Sequence, residues 1–222
     1  NPNYLELKKK VDFYKKNLTA TKNLIDYFSK RKPDKRLILI GTSQMYGNKK
    51  KTVNLNSRFK PNNSYAKFRV EAYNYMLKSK KKYKSNIVTA ILFNHDSKFR
   101  KKKFLIPRLV KIVKKKEIKK LRSIFKENIS GDFSHAEDIC NGLYKLLLLK
   151  SCPDKLIFSS NKRTYMNKII NHLIKINKLE IELNTNNLKN TFTPVGDNKI
   201  TKKILNWKQK KNIFTAAREL NK

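Results

Sequence analysis

RLILIGTSQMYG, residues 36–47, is the stretch on which the fold turns. Leu37, Ile38, Leu39 and Ile40 form an unbroken apolar run of strand length that ends in Gly41 and the small hydroxyl residues Thr42 and Ser43. A strand apolar at every position, not alternate ones, is covered on both faces, which is the signature of a parallel sheet flanked by helices. Upstream, Leu7, Val11, Tyr14, Leu18, Ile25 and Phe28 recur at mostly three- and four-residue spacing, so residues 7–28 are expected to form an amphipathic helix that Pro33 stops. Downstream, turn formers at Gly47-Asn48 and Pro61-Asn62-Asn63 mark a loop, residues 64–80 are helical in period, and NIVTAILF (86–93) is a second buried strand.

The alternation continues. IPRLVKIV (106–113) and SHAEDICNGLYKLLLL (134–149) are predicted helices, the second with Ser134 as N-cap and Glu137 at the capping-box position. KLIFSS (155–160) is a third strand, residues 164–178, 200–205 and 213–220 are helical, and 184–190 is a surface loop. Strands alternating with helices define an α/β fold with a largely parallel sheet. No internal repeat is visible.

Composition sets the outer bounds. With 222 residues, 39% of them hydrophobic, the chain can bury a real core. The apolar runs are far shorter than the roughly 20 residues of a membrane span. The start, NPNYLELKKK, lacks both a Met and a leader pattern, which reads as a fragment or processed chain in the cytoplasm. Cys140 and Cys152 form no CxxC pair and are expected as reduced thiols, and His95, His135 and His172 share no metal-ligand spacing, so no metal site is expected. The net charge of +38 would suit a nucleic-acid binder, yet only nine of the 54 basic residues are Arg and the lysines spread along the whole chain. Dedicated nucleic-acid surfaces cluster their charge and favour the bidentate guanidinium, so specific nucleic-acid binding is not expected. Runs such as 101–103 and 114–116 read as solvated helix ends and loops.

The five glycines, Gly41, Gly47, Gly131, Gly142 and Gly196, form no GxGxxG or GxxGxxG loop. A dinucleotide pyrophosphate needs such glycines after a first strand so that backbone can approach it at a helix N-terminus. What the chain does carry is a hydroxyl pair, Thr42 and Ser43, at a strand's C-terminal end, with Tyr65 near a helix start about twenty residues on. That spacing suits a site that holds a substrate hydroxyl, and equally a turn hydroxyl followed by an ordinary amphipathic aromatic.

Four further segments, in order, decide between these. ILFNHDS (91–97), FLIPRLVKIV (104–113), GDFSHAEDI (131–139) and GDNKITKKILNWKQK (196–210) resemble successive segments of GDP-mannose 4,6-dehydratases, members of the extended short-chain dehydrogenase/reductase family. The likeness covers nearly the whole chain. It implies an incomplete Rossmann-like parallel sheet, its first strands and glycine loop absent, with a small, mainly helical C-terminal substrate lobe. Residues 1–95 would be the second half of the Rossmann-like domain, and 96–222 the substrate lobe interleaved with the last strand. By resemblance, Tyr65 takes the proton of the sugar 4-hydroxyl, Thr42 and Ser43 orient the sugar, Asn94, His95 and Arg108 contact substrate, and Tyr65, Arg69 and His95 contact the cofactor. The implied cofactor is NADP, or NAD, and the implied substrate a GDP-mannose-like nucleotide sugar.

Several positions depart from the family pattern. Arg69 stands in place of the Lys that keeps the Tyr ionised, and a guanidinium differs from an ammonium in reach and geometry. Lys67 is about 200° around the helix from Tyr65 and points away. Gln44 stands in place of the Glu that takes the C5 proton, and losing a general base typically costs about 100- to 10,000-fold. Asp96 is a candidate substitute. Gly131 and Thr193 stand where two nucleotide-binding arginines are expected. Three readings follow: a 4,6-dehydratase-like enzyme, a nucleotide-sugar epimerase or 4-reductase that needs no such base, and a non-catalytic subunit. Association as a homo-oligomer or with a full-length homologue is expected by resemblance, since an unpaired strand edge needs cover.

Overall fold

The computed structural model describes residues 11–48, 50–151, 153–184 and 188–222. Cys152 and the expected first turn of the opening helix, residues 7–10, lie outside the described residues. The central sheet is parallel, in the order β1 (Leu37–Thr42), β3 (Ile87–Leu92), β6 (Lys155–Phe158). Leu37 lies opposite Ile87, Thr42 opposite Leu92, and Leu92 in turn opposite Phe158, so the three strands end together. Strand β3 is central and buried at every position but Leu92, as its unbroken apolar run requires. Strand β1 has one neighbour among the described residues, and its Ile40 is 38% exposed.

Period-two alternation sorts the strand residues between two helical layers. On one face α1 (Val11–Arg31) and α2 (Ser64–Tyr83) bring Ile25, Tyr73 and Met76 onto Ile87, with Leu37 and Leu39 beside them. On the other, α5 (Ala136–Leu148) and α7 (Lys199–Leu205) bring Ile139, Leu146 and Leu205 onto Val88, Ala90 and Leu156. A second core lies beyond the sheet, where α3 (Leu105–Lys114), α4 (Ile118–Lys126), α6 (Met166–Ile176) and α8 (Ile213–Asn221) enclose Leu109, Val113, Phe125, Ile170, Leu173 and Ala217.

Short strands join the two cores. β4 (Asn94–Asp96) runs parallel to β5 (Ser130–His135), and β7 (Arg163–Tyr165) antiparallel to it. β2 (Thr52–Val53) pairs with β8 (Val195–Gly196). Here the structure corrects the sequence reading. Ser134 is a strand residue, paired to His95 and bridged to Asn212, so it cannot cap the helix. The cap is His135, whose Nδ1 accepts from the Glu137 N–H at 3.2 Å. Glu137 reaches instead to the Lys211 ammonium, 2.6 Å away. The helix expected from Thr164 begins at Met166, because Thr164 pairs with Gly131 in β7. Helix α4 was not expected, and the opening helix runs on to Arg31.

Trp207 fixes the layer behind β6. It is 1% exposed, its ring centroid lies 5.4 Å from that of Phe158, and its indole N–H donates to the Asp138 carbonyl at 2.9 Å. Gly142 admits this packing, since a Cβ there would stand 2.7 Å from the Phe158 ring. Trp207→Ala should therefore lower the unfolding free energy by about 3–5 kcal/mol, while Trp207→Phe should lose much less. Urea titration followed by circular dichroism measures both, and an Ala variant within about 1 kcal/mol of wild type would contradict this account of the packing.

Candidate active site

The strand ends open into a cavity of about 380 Å³. Ile40, Gly41, Thr42 and Ser43 from β1 and the turn after it, Leu92 to Asp96 from β3 and β4, Tyr65 from α2, and Phe104 to Ile106 at the head of α3 surround it. A cleft at the carboxyl ends of parallel strands is where open α/β sheets bind ligands. The size is that of a small-molecule site.

Local rules place each side chain. Thr42 ends β1 in extended conformation and caps the 3₁₀ turn at residues 43–46, its Oγ1 accepting from the Gln44 N–H at 3.4 Å. The capping hydroxyl is thus Thr42 and not Ser43, which is buried against the cavity. Gln44 Oε1 accepts from the Asn63 amide at 2.9 Å, and Asn63 Oδ1 caps α2 by accepting from the Ala66 N–H at 2.9 Å. The Gln44 amide is thereby tied to the turn of helix that presents Tyr65. The Tyr65 ring packs 6.5 Å from that of Tyr14 on α1. The Arg69 guanidinium lies 5.3 Å from its centroid on the other side, and 4.9 Å from the Phe68 ring. Arg69 Nε is buried without a hydrogen-bond partner.

His95 donates its Nδ1 proton to the Phe93 carbonyl at 2.8 Å, which leaves Nε2 as an acceptor, and burial lowers its pKa and keeps the ring neutral. Asn94 donates to the Asp132 carbonyl at 3.2 Å. Asp96, the candidate substitute for the Gln44 position, also lines the cavity. It is 7% exposed, accepts from the Ser97 N–H at 3.2 Å, and has Arg100 Nε 3.7 Å away. Burial pushes its pKa up to about 6, against the pull of Arg100. Arg100 stacks on Phe104 with its guanidinium 3.6 Å from the ring centroid. Asp96, Arg100 and Phe104 follow one another at four-residue spacing, and the β4–β5 pairing adds Phe133.

Thr42, Ser43, Gln44, Tyr65, Asn94 and His95 share the cavity; Arg69 flanks it behind Tyr65, and Arg108 lies outside it, exposed on α3. The two positions expected to hold arginines are neighbours. A Cβ on Gly131 would fall 1.9 Å from Thr193 Oγ1, so Thr193 fills the space that a side chain at 131 would need. An arginine reaches this corner from β7 instead, Arg163 donating to Ser130 Oγ and to the Thr193 carbonyl, each at 3.1 Å. Among the described residues no cluster of three or more His, Cys, Asp or Glu could hold a metal ion, and no helix is long and apolar enough to cross a membrane. Cys140 is an exposed free thiol on α5.

A parallel sheet with a Thr-Ser pair at one strand end and a Tyr at the head of the following helix, all facing one cleft, is the arrangement of the short-chain dehydrogenase/reductase class. The chain belongs to the GDP-mannose 4,6-dehydratase family, whose sequence profile matches residues 6–220. No curated protein sequence matches it. Among solved structures it is similar to dTDP-glucose 4,6-dehydratase from Bacillus anthracis in complex with NAD, at 17% identity and a TM-score of 0.78, over 95% of this chain and 68% of that one. It is also similar to UDP-glucuronic acid 4-epimerase from Bacillus cereus with NAD, at 18% identity and a TM-score of 0.73, over 92% and 68% of the two chains. RMD from Pseudomonas aeruginosa complexed with NADPH gives 18% identity and a TM-score of 0.75, over 92% and 72%. At these identities the likeness establishes the fold.

The raised pKa of Asp96 carries a prediction. The folded chain keeps a proton at pH values where the unfolded chain has lost it, so this group's stabilisation is full below about pH 4 and lost as the pH rises through about 6. Asp132 is raised to about 6 by its own burial and contributes a slope of the same sign. Asp96→Asn should flatten the fall in unfolding free energy across this window by up to about 3 kcal/mol. Urea unfolding at four pH values between these limits measures it, and an unchanged slope would contradict the burial argument.

Proposed function

We propose that the chain carries the substrate side of a nicotinamide-dependent nucleotide-sugar site, with GDP-mannose as substrate and NADP as cofactor. The observation that carries the reading is the convergence of Thr42, Ser43, Tyr65, Asn94, His95 and Asp96 on one strand-end cavity. The residues present fit the nicotinamide end of the cofactor, where Arg69 Nε beside Tyr65 is a buried donor without a hydrogen-bond partner, of the kind a ribose hydroxyl satisfies. They do not include a glycine loop for the pyrophosphate. A bound nicotinamide supplies the acceptor for the C4 hydride and its return to C6.

In this reading Tyr65, as the oxyanion, takes the proton of the sugar 4-hydroxyl, and the Arg69 guanidinium favours that oxyanion electrostatically. Thr42 and Ser43 orient the sugar. Asp96, rather than Gln44, takes the C5 proton and returns it to the C6 hydroxyl, which leaves as water. Its pKa of about 6 leaves it mostly ionised at neutral pH yet basic enough to receive that proton. Gln44 positions the head of α2 through Asn63. Its fixed amide also favours a second reading, chemistry at C4 alone as in an epimerase or 4-reductase, which needs no base at C5.

Calorimetric titration with GDP-mannose should show saturable binding that Thr42→Trp abolishes by filling the cavity. No binding to the wild-type chain would sink the proposal. With NADP present, a 4-keto-6-deoxy product is expected, with kcat about 100-fold lower or more in both Tyr65→Phe and Asp96→Asn. Exchange at C4 without loss of water, unaffected by Asp96→Asn, would select the second reading.

A further inference from the structure

Lys102 from the lysine run at 101–103 and Lys114 and Lys115 from the run at 114–116 border one groove in the folded chain. The groove has a volume of about 510 Å³ and lies between α3, α8 and the loop leading into α3. Six cations line it: Lys98, Arg100, Lys102, Lys111, Lys114 and Lys115. Its floor is apolar, made by Pro107, Val110 and Leu220.

Three observations separate this groove from an ordinary solvated helix end. The first is charge. The one carboxylate in the lining, Glu219, is already engaged, with Oε2 3.0 Å from His135 Nε2 and Oε1 3.3 Å from Lys211 Nζ. These partners hold its pKa below the usual value, so it stays ionised and paired. None of the five lysines forms an ion pair among the described residues, and nearby Glu117 is taken by Lys120 at 2.6 Å. The second is shape. The groove is concave and of small-molecule size, where a duplex or a membrane would need an extended convex or flat field. The third is the floor. Pro107 and Val110 lie on α3 and Leu220 on α8, so both walls supply apolar surface beneath the ammonium rim.

We propose that this groove binds a small polyanion bearing an apolar ring, specifically a nucleoside di- or triphosphate, with phosphates among the lysines and base on the apolar floor. Arg100 lines both this groove and the strand-end cavity, so the two sites share one side chain while the rest of their linings are distinct. The proposal is independent of the reaction assigned to the first cavity.

The test uses ADP and inorganic pyrophosphate as probes in calorimetric titrations of the whole chain at moderate salt. The first cavity is filled by Thr42→Trp, which leaves the groove intact. One saturable ADP site should survive in that background, several-fold tighter than pyrophosphate. Lys111→Glu with Lys114→Glu should weaken it at least tenfold, and the Gln pair at the same positions by an intermediate factor. Lys78→Glu with Lys81→Glu makes the same change of charge at the same spacing on α2, and should alter affinity less than about threefold. Circular dichroism checks folding, and if the Glu pair fails to fold the Gln pair carries the comparison. Equal weakening by the two reversals would reduce the effect to overall charge and overturn the site. So would an ADP affinity no better than that of pyrophosphate, a loss of binding in the Thr42→Trp background, or the absence of any saturable binding.

Discussion

The carboxylate of Asp132 is the constraint on which the rest of the structure depends. It is fully buried, and it accepts from the N–H groups of Ser160 at 2.6 Å, Asn161 at 2.9 Å and Gly196 at 3.3 Å. One side chain on β5 thus joins the turn after β6 and the short strand β8. These donors compensate its desolvation only in part, and burial still pushes its pKa up to about 6. Ser159 and Asn198 complete the join, the Ser159 hydroxyl donating to the Gly196 carbonyl at 2.7 Å and the Asn198 amide to the Ser159 carbonyl at 2.6 Å. The small sheet is held against the end of the large one by polar groups that satisfy each other. The same Asp132 supplies the carbonyl that orients Asn94 in the cavity.

Seen from this join, Gln44, Gly131, Thr193 and Arg69 are parts of one packed surface. Gln44 keeps a hydrogen bond to the cap of α2 that needs an acceptor facing an amide N–H. Gly131 and Thr193 form a matched pair, small against branched, the Thr193 hydroxyl lying where a side chain at 131 would need to be. Arg69 lies across the face of Tyr65, an arrangement to which a planar guanidinium is suited and an ammonium less so. The cavity that results keeps hydroxyl, phenol, imidazole and carboxylate groups together while changing their supports.

The charge of the chain takes a different meaning in three dimensions. Most of its lysines are solvated, consistent with a compositional bias spread along the whole sequence. Folding gathers a few of them over an apolar floor between α3 and α8, beside a carboxylate already engaged by His135 and Lys211. What separates that groove from the background is concavity and five lysines without ion pairs among the described residues, neither of which composition records.

The sequence by itself determined the layered α/β architecture and the placement of β1, β3 and β6, because unbroken apolar runs and helical periodicity are local properties set by burial on both faces. It also set Thr42 and Ser43 at a strand end and Tyr65 near a helix head, and the family resemblance added Gln44, Asn94 and His95. Only the tertiary structure decided β5, whose residues SGDFSH have no strand periodicity and whose Asp132 is buried with distant N–H groups satisfying its carboxylate. It likewise moved the cap of α5 from Ser134 to His135 and brought Asp96 and Arg100 to the cavity while leaving Arg108 outside. Those outcomes rest on hydrogen bonds and packing between residues tens of positions apart, and a one-dimensional pattern carries no distance across the chain.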